Sequence, residues 1–414
     1  MLTFARSVGY AVVKKPEGYT TAKVDQIIQE YEKKSANEQQ STAKQYPNII
    51  TVVNETFADI KVLGDFKTNE DYMPYFHSLK KNCVTGYTYA SIVGGQTANT
   101  EFELLTGNTL GFLSAGTTAF QLYIHGQMPS LVSNLKAEGY SGNKAMHPFN
   151  PYNYNRPAVY KDFGFTDFID KFDFPKNVKR VREYISDEAN VDRIISEYEK
   201  NRKKTDQPFY MYNMTIQNHS PYDKDAANFK QPIKIESSKY DAEANRYLNL
   251  IKYSDDSLKQ LTSYFERCKE PTIILFLGDH QPRLTDEFMN KITNGQYQTW
   301  SSEQMMKRYQ VPFVIWANYD IKGQHIEKTS MNYIQSILTQ TAGVKMTGYQ
   351  RFLNEVRKEV PTITSQGYWG KNGKFYQIND KGSPYYGIIQ KYRMIQYNMM
   401  FDKKNRRDSF FEVS

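Results

Sequence analysis

Asp279 and His280 are the adjacent residues of this chain that are best suited to hold a metal ion. They follow Gly278 and the apolar run 273–277, which has the character of a strand buried on both faces. Open α/β sheets place their functional residues at the carboxyl ends of such strands. A carboxylate oxygen and an imidazole nitrogen side by side can share one divalent cation. We therefore expect further ligands at the ends of other buried strands.

Glu55 occupies an equivalent position after a second predicted strand. Residues 48–53 form a β-branched run behind Pro47, and Glu55 comes two positions later. A strand-end glutamate on its own is more typical of a helix cap or a surface acid. Together with Asp279 and His280 it becomes a candidate metal ligand.

A Gly-Gly turn at residues 94–95 leads into small hydroxyl residues and then into an acidic, apolar-periodic stretch. Thr97 and Thr100 therefore fall near the start of a predicted helix, where free N–H groups and the helix dipole attract anions such as phosphate. The spacing alone favours a capping box, with Thr97 or Thr100 as the cap and Glu103 three residues after Thr100. The alternative is that Thr97 is a nucleophile whose hydroxyl is activated by a metal.

Two histidines and an arginine in predicted loops form the last group of candidates. His147 precedes a proline, and His219 follows the predicted strand 209–215. Arg156 has the planar guanidinium that can clamp a phosphate through two hydrogen bonds. The other three histidines lack such a context, and we expect them to be structural: His77, His125 and His325.

A sheet whose strands alternate with helices must position these candidates. Residues 312–316 form another apolar strand candidate, and residues 241–265 carry apolar positions at helical spacing. Strands that alternate with long helices predict an α/β fold with a largely parallel central sheet.

The chain divides into three predicted segments. Residues 1–46 form a helical linker, with a helix-permissive stretch followed by polar residues, and residues 47–345 form the catalytic domain. Residues 346–414 are rich in Gly, Tyr and Lys, and we expect a small antiparallel subdomain that ends in a helix near 388–401.

Composition narrows the class of protein further. The net charge of the 414 residues is +8, but the basic residues are scattered, so solvated surface is favoured over a nucleic-acid or lipid patch. No run of about 18 apolar residues is present, so we expect no membrane span. The spacing of Cys83 and Cys268 excludes a CxxC motif; we expect free thiols, with one disulfide as the alternative.

The order of the motifs resembles the lipoteichoic acid synthase family of phosphoglycerol transferases, within the sulfatase and alkaline phosphatase superfamily. Five segments carry the resemblance: 54–57, 96–102, 147–156, 218–222 and 278–280. It extends from about residue 15 to residue 401. It implies a sulfatase-like, mostly parallel central sheet flanked by helices, with a small C-terminal antiparallel subdomain.

The resemblance also implies site residues. One divalent cation, most often Mn²⁺ with Zn²⁺ or Mg²⁺ as alternatives, is expected on four ligands: Glu55, Thr97, Asp279 and His280. Thr97 is expected to form a covalent phospho-threonine. The substrate pocket is expected to use His147, Tyr154, Arg156 and His219, with His219 or His147 protonating the leaving oxygen. Two departures border this site: Gln96 replaces a Lys of the family, and Tyr154 replaces a Trp.

The implied reaction moves glycerol phosphate from phosphatidylglycerol to a lipoteichoic acid chain or a wall polysaccharide. The protein is then expected at the extracellular face of a bacterial membrane, held there by an anchor outside this chain, with no nucleic-acid partner. A phosphatase or phosphodiesterase that uses water as acceptor and a non-catalytic polymer- or lipid-binding domain remain alternatives. Sulfatase activity is disfavoured because Thr97 cannot become the formylglycine that sulfatases form from Cys or Ser.

Overall fold

The computed structural model describes residues 13–35, 45–236 and 242–413. Within these residues the strands are β1 Asn48–Asn54, β2 Cys83–Tyr89, β3 Ser141–Met146, β4 Asp167–Ile169, β5 Arg180–Val181, β6 Tyr184–Ile185, β7 Phe209–Met214, β8 Thr272–Gly278, β9 Gln310–Ala317, β10 Gln324–Ser330, β11 Thr362–Thr364, β12 Gly367–Trp369 and β13 Phe375–Tyr376. The α-helices are α1 Thr21–Ser35, α2 Pro74–Ser78, α3 Thr97–Thr106, α4 Ala119–Leu122, α5 Leu131–Ala137, α6 Arg156–Phe163, α7 Asp187–Arg202, α8 Ala242–Phe265, α9 Asp286–Ile292, α10 Ser302–Met305, α11 Met331–Thr341, α12 Gly348–Glu359, α13 Tyr386–Phe401 and α14 Asp408–Phe411.

The central sheet of the described chain has the strand order β10-β2-β9-β8-β1-β7-β3-β4. β1 lies in the interior of the sheet and pairs in parallel with both β7 and β8. Every residue of β1 and β8 is buried, as expected for strands covered on both faces by helices. The predicted α/β fold with a mostly parallel sheet is confirmed.

Strand β9 departs from the parallel pattern. The predicted apolar run 312–316 does form this strand, but β9 runs antiparallel to both of its neighbours, β8 and β2. Its direction is set by the path of the chain between strands, which the apolar pattern of a buried strand does not encode. The sheet is therefore mixed on one side of β8.

Sequence analysis did not predict strands β2, β3 and β10, because polar residues interrupt their apolar pattern. Gly86 in β2 shows why a non-apolar residue is needed there. A Cβ atom at Gly86 would lie 2.0 Å from the carbonyl oxygen of Ile326 on β10. The edge strand β10 can therefore pair with β2 at this point only because residue 86 has no side chain.

The helix predicted at 241–265 is confirmed as α8, although residue 241 lies outside the described residues. After residue 346 the structure contains the antiparallel sheet β11-β12-β13 and the helix α13, as predicted. Cys83 and Cys268 are free thiols.

Helix α1 packs against the C-terminal helices rather than standing apart. Tyr31 makes an edge-to-face contact with Phe352 of α12 at 4.7 Å between ring centroids, and Glu30 pairs with Lys391 of α13 at 2.7 Å. One hydrophobic core includes residues of all three predicted segments. The limits at residues 47 and 346 stay predictions. None of the helices in the described ranges is long and apolar enough to cross a membrane.

Candidate active site

The pairing of β1 with β8 brings the first candidate residues together. In this parallel register Asn54 is opposite Gly278, so the residues that follow each strand leave the sheet side by side. A Cβ atom at Gly278 would lie 1.8 Å from the carbonyl oxygen of Phe57. The glycine before Asp279 is therefore required for the two chain segments to meet at this edge of the sheet.

Glu55, Asp279 and His280 form a buried cluster at that edge. The Nε2 atom of His280 lies 3.2 Å from Oδ2 of Asp279 and 3.9 Å from Oε1 of Glu55. Among the described residues, this is the group of three that brings its ligand atoms within 4.8 Å of one another.

Two atoms of the cluster face it without a hydrogen-bond partner. Oδ1 of Asp279 accepts from the backbone N–H groups of Thr56 at 2.7 Å and His280 at 2.8 Å, and Nδ1 of His280 contacts the carbonyl oxygen of Gln281 at 3.0 Å. These contacts orient both side chains and leave Oδ2 of Asp279 and Nε2 of His280 buried and unpaired. Unpaired carboxylate and imidazole atoms around one point are what a divalent cation requires.

The electrostatics of Glu55 also indicate a cation site. Burial, reinforced by the nearby carboxylate of Asp279, raises the pKa of Glu55 well above its usual range. Two carboxylates in one dry site repel each other unless a proton or a cation lies between them. The residues present therefore fit a divalent cation.

Thr97 is the first residue of helix α3 and lies beside this cluster. Its Oγ1 donates a hydrogen bond to Oε2 of Glu55 at 3.4 Å. The capping-box prediction is wrong, because Gln96 occupies the cap position in a left-handed conformation (φ 64°) with no side-chain cap. The hydroxyl of Thr100 instead donates to the carbonyl oxygen of Asp279 at 2.8 Å. This bond holds the first turn of α3 next to the cluster.

Arg156 contributes one wall of the cavity and is buried with Glu101. Its Nε and Nη2 atoms donate to Oε1 of Glu101 at 3.1 Å and 2.7 Å, while Tyr160 and Tyr212 donate to the other carboxylate oxygen at 2.5 Å and 3.1 Å. The guanidinium also lies 5.1 Å from the ring centroid of Tyr154. Sequence analysis did not identify Glu101, which fixes the arginine that faces the cavity.

His147 and His219 line the same cavity. Nδ1 of His147 faces the carbonyl oxygen of Met214 at 3.0 Å, and burial together with Arg156 lowers the pKa of His147 well below its usual range. His147 is therefore neutral at pH 7, with Nδ1–H donating and Nε2 free to accept. His219 is only half-buried, and its Nδ1 faces the carbonyl oxygen of Ser220 at 2.7 Å.

The cavity has a volume of about 80 Å³, and its wall also includes Arg283. Sequence analysis missed this residue, although it lies only three positions after His280. Three non-glycine residues of the wall adopt left-handed backbone conformations: Thr56, Gln96 and Tyr154, with φ of 50°, 64° and 60°. Strained backbone of this kind is concentrated at functional sites.

Comparison with known proteins identifies the family of this chain. The protein-family model described as Sulfatase matches residues 47–344, which is more than half of the chain. The chain belongs to the sulfatase family.

Two solved structures share the fold of this sulfatase-family chain. The phosphoglycerol transferase GacH of Streptococcus pyogenes, solved in complex with sn-glycerol-1-phosphate, superposes with a TM-score of 0.77 at 20% identity, covering 97% of this chain and 100% of that one. The lipoteichoic acid synthase LtaP of Listeria monocytogenes superposes with a TM-score of 0.65 at 19% identity, covering 92% and 98%.

Among curated relatives, a putative cyclic beta-1,2-glucan modification protein of Rhizobium meliloti (strain 1021) is 30% identical over 99% of this chain. The chain spans 63% of the length of that relative. Together these similarities confirm the resemblance to lipoteichoic acid synthase-like phosphoglycerol transferases.

Proposed function

We propose that this chain is the catalytic part of a metal-dependent phosphoglycerol transferase that acts through a covalent phospho-threonine. One observation carries the proposal: the hydroxyl of Thr97 lies beside a buried Glu55–Asp279–His280 cluster in which two ligand atoms are unpaired. A hydroxyl at a cation site is the arrangement needed for nucleophilic attack on a phosphodiester.

The proposed cation is held by Glu55, Thr97, Asp279 and His280. When bound, it would lower the pKa of the Thr97 hydroxyl and offset negative charge on the phosphoryl oxygens. Mixed oxygen and imidazole ligation suits Mn²⁺, with Zn²⁺ and Mg²⁺ as the alternatives that elemental analysis would distinguish.

The proposed donor is the head group of phosphatidylglycerol. A cavity of about 80 Å³ has room for a small polar group and not for the acyl chains, which stay outside. Arg156 and Arg283 on the wall would bind the non-bridging oxygens of the phosphate. The neutral His147 can accept a hydrogen bond from a glycerol hydroxyl through Nε2.

In the first step, Oγ1 of Thr97 forms a bond to phosphorus while the bond from phosphorus to the diacylglycerol oxygen breaks. The hydroxyl proton passes to Glu55, which already accepts a hydrogen bond from it. His219 supplies a proton to the leaving oxygen, because the lowered pKa of His147 keeps its Nε2 unprotonated.

In the second step, an acceptor hydroxyl attacks phosphorus and gives its proton to the now neutral His219. The bond between Thr97 and phosphorus breaks, and Oγ1 recovers its proton from Glu55. Both half-reactions therefore use the same residues in reverse roles.

The proposed acceptor is a cell-envelope polymer, either a lipoteichoic acid chain or a polysaccharide. The similarity to a lipoteichoic acid synthase supports the first and the similarity to a glucan modification protein supports the second. The reaction would take place at the outer face of a bacterial membrane, with the anchor outside this chain.

The test uses Thr97→Ala with phosphatidylglycerol labelled in the terminal glycerol. We expect wild-type protein to release diacylglycerol and to gain the mass of one glycerophosphoryl group, and Thr97→Ala to do neither while it keeps its melting temperature and bound cation. Thr341→Ala, at the last residue of helix α11 and outside the cavity lining, serves as the control. An active Thr97→Ala protein would overturn the proposal.

The same assay separates the alternative functions. Release of diacylglycerol with free glycerol phosphate as the only labelled product, even when envelope polymers are supplied, would indicate a phosphodiesterase. Binding of phosphatidylglycerol or polymer with no turnover would indicate a non-catalytic binding domain.

A further inference from the structure

A second cavity adjoins the one that contains Thr97. Its volume is about 380 Å³, and its lining includes most of residues 110–117 together with residues 365–366. We call it the groove. Four residues line both cavities and form the wall between them: Gly94, Gly95, Gln96 and Arg283. These four residues therefore separate a molecule in the groove from the cavity that contains Thr97.

A buried carboxylate holds the groove together. Oε1 of Glu103 accepts hydrogen bonds from Oγ of Ser91 at 2.7 Å and from the backbone N–H of Leu110 at 2.8 Å, which belong to two separate segments of the lining. Oγ of Ser365 donates to the carbonyl oxygen of Ser91 at 2.8 Å. This bond holds segment 365–366 against the groove. Glu103 belongs to helix α3, which begins at Thr97. The groove is thus fixed relative to the nucleophile by one helix.

A second residue of the same helix fixes the remaining side. Nδ2 of Asn99 donates to the carbonyl oxygen of Thr117 at 2.9 Å, and Oδ1 of Asn99 accepts from the backbone N–H of Ala119 at 2.9 Å. Asn99 is buried, so these bonds are protected from water. The groove is a built feature of the fold and not a gap between mobile loops.

The chemistry of the lining favours an uncharged ligand. The groove is lined by hydroxyl and amide side chains, glycines and a few aliphatic residues, with no acidic residue and with Arg283 as the cation, at the wall it shares with the first cavity. Within the described residues, Nε2 of Gln96 and Oγ of Ser114 have no hydrogen-bond partner and can serve a ligand. A glycerol phosphate polymer carries a phosphate in every unit and would need a cation along the whole groove.

We propose that the groove is the acceptor site and that it takes an uncharged polyhydroxylated chain, a saccharide rather than a polyphosphate. This inference rests on the proposed phosphoglycerol transfer. The volume is in the range of about 300–1,000 Å³ that small-ligand sites occupy. A hydroxyl of the chain reaches past the shared wall, its oxygen bonds to phosphorus as the bond to Thr97 breaks, and its proton passes to His219.

The test fills the groove without touching the first cavity. Ala115 is exposed in a turn and lines only the groove, so Ala115→Trp should fold and block it. Ala227 is an exposed turn alanine outside both cavities, which makes Ala227→Trp the matched control. Each protein receives vesicles of labelled phosphatidylglycerol and a neutral β-1,2-linked glucose oligosaccharide, and diacylglycerol release and saccharide-linked label are measured separately.

We expect Ala115→Trp to lower transfer to the saccharide by about tenfold or more while phospho-threonine formation stays within about twofold of wild type. Ala227→Trp should change neither. An equal loss of phospho-threonine formation would place the donor lipid in the groove and overturn the inference. Unchanged transfer would also overturn it. Tighter competition by a glycerol phosphate oligomer than by the saccharide would overturn the uncharged class.

A binding measurement separates this inference from the proposed function. If wild-type protein releases no diacylglycerol, the proposed function fails. Calorimetry with the same oligosaccharide then still shows whether the groove binds a saccharide. Saturable binding that is lost in Ala115→Trp and kept in Ala227→Trp supports a saccharide site. Absence of binding to the wild-type protein overturns it.

Discussion

Two clusters built from the same residue types behave in opposite ways in this molecule. Glu55, Asp279 and His280 combine two carboxylates with an imidazole at the ends of β1 and β8. Asp59 and Asp71 flank His77 nearby in sequence, again two carboxylates and an imidazole. In the first cluster two ligand atoms are unpaired; in the second the groups bind one another.

Within the second cluster the three side chains pair with one another, and neighbouring tyrosines complete the hydrogen bonding of Asp59. Nδ1 of His77 contacts Asp71 at 2.7 Å and Nε2 lies 3.8 Å from Asp59, which also accepts hydrogen bonds from Tyr72 and Tyr87. The nearby carboxylate of Asp59 and the hydrogen bond with Asp71 raise the pKa of His77 to about 9. Burial raises the pKa of Asp59, but the charge of His77 and the hydrogen bond from Tyr72 outweigh it and the pKa is lowered.

The difference teaches what distinguishes a cation site from an ion pair. In the first cluster backbone N–H groups donate to Oδ1 of Asp279, and a backbone carbonyl faces Nδ1 of His280. The other atoms of these side chains, Oδ2 of Asp279 and Nε2 of His280, are left without a hydrogen-bond partner and can bind a cation. In the second cluster the histidine is the cation. Residue types alone do not separate the two cases; the direction of the pKa shift does, upward for Glu55 and downward for Asp59.

The largest expected contrast comes from removing one carboxylate in each cluster. Asp279→Asn should lower phosphoglycerol transfer by about 10⁴-fold and abolish cation binding, because a ligand and its charge are lost. Asp59→Asn should leave transfer unchanged and lower the free energy of unfolding by about 1–3 kcal/mol, because buried donors lose a charged acceptor. Initial rates, elemental analysis and urea unfolding measure the three quantities. Cation binding by Asp279→Asn, or loss of turnover in Asp59→Asn, would contradict the comparison.

Added cation should distinguish the clusters next. A ligand at 100 times its dissociation constant stabilises a folded protein by about 2.7 kcal/mol. We expect Mn²⁺ to raise the melting temperature of wild-type protein and of His77→Gln equally, and to leave Asp279→Asn unchanged. Thermal unfolding after dialysis against a chelator, with and without Mn²⁺, checks this. A smaller Mn²⁺ effect in His77→Gln would mean that the second cluster also contributes to cation binding.

Sequence analysis located the residues of the first cluster because both strands that carry them are long apolar runs, and parallel strands end at one edge of a sheet. It also placed Thr97 at the start of a helix, although it assigned the wrong cap. It did not identify Glu101 and Arg283, whose roles depend on where α6 and the segment after β8 approach the cavity. The groove depends on the contact between Ser91 and Ser365, which are far apart in sequence and carry no distinctive pattern.

The same limit applies to the second cluster. Sequence analysis found no functional context for His77, and the structure places it outside the cavity, between Asp59 and Asp71. The partners of His77 lie in irregular segments, where neither apolar period nor strand register predicts a contact. Strand β9 shows the limit at the level of topology, since its apolar pattern predicted a strand but not its direction.

The pH dependence of stability should reveal the raised pKa of Glu55. A carboxyl whose pKa is raised on folding favours the folded state below its unfolded pKa of about 4.3, and this contribution is lost as pH rises through the folded value. Chelated wild-type protein should therefore lose stability with rising pH relative to Glu55→Gln, and Mn²⁺ should reverse that loss. Melting temperatures of both proteins from pH 5 to 8.5 measure the difference. Parallel curves in the presence of chelator would contradict the assignment.

The smallest expected effect belongs to His77. Its pKa is raised from 6.5 to about 9, so its charged form stabilises the folded protein fully below pH 6.5 and less as pH rises through about 9. His77→Gln should therefore lower the melting temperature at pH 6 and match wild type near pH 10. Glu55 and His77 thus both stabilise the folded protein less as pH rises, and the response to cation separates the two clusters. Mn²⁺ should leave the difference between His77→Gln and wild type unchanged at every pH, because both ring nitrogens of His77 already face the carboxylates of Asp59 and Asp71.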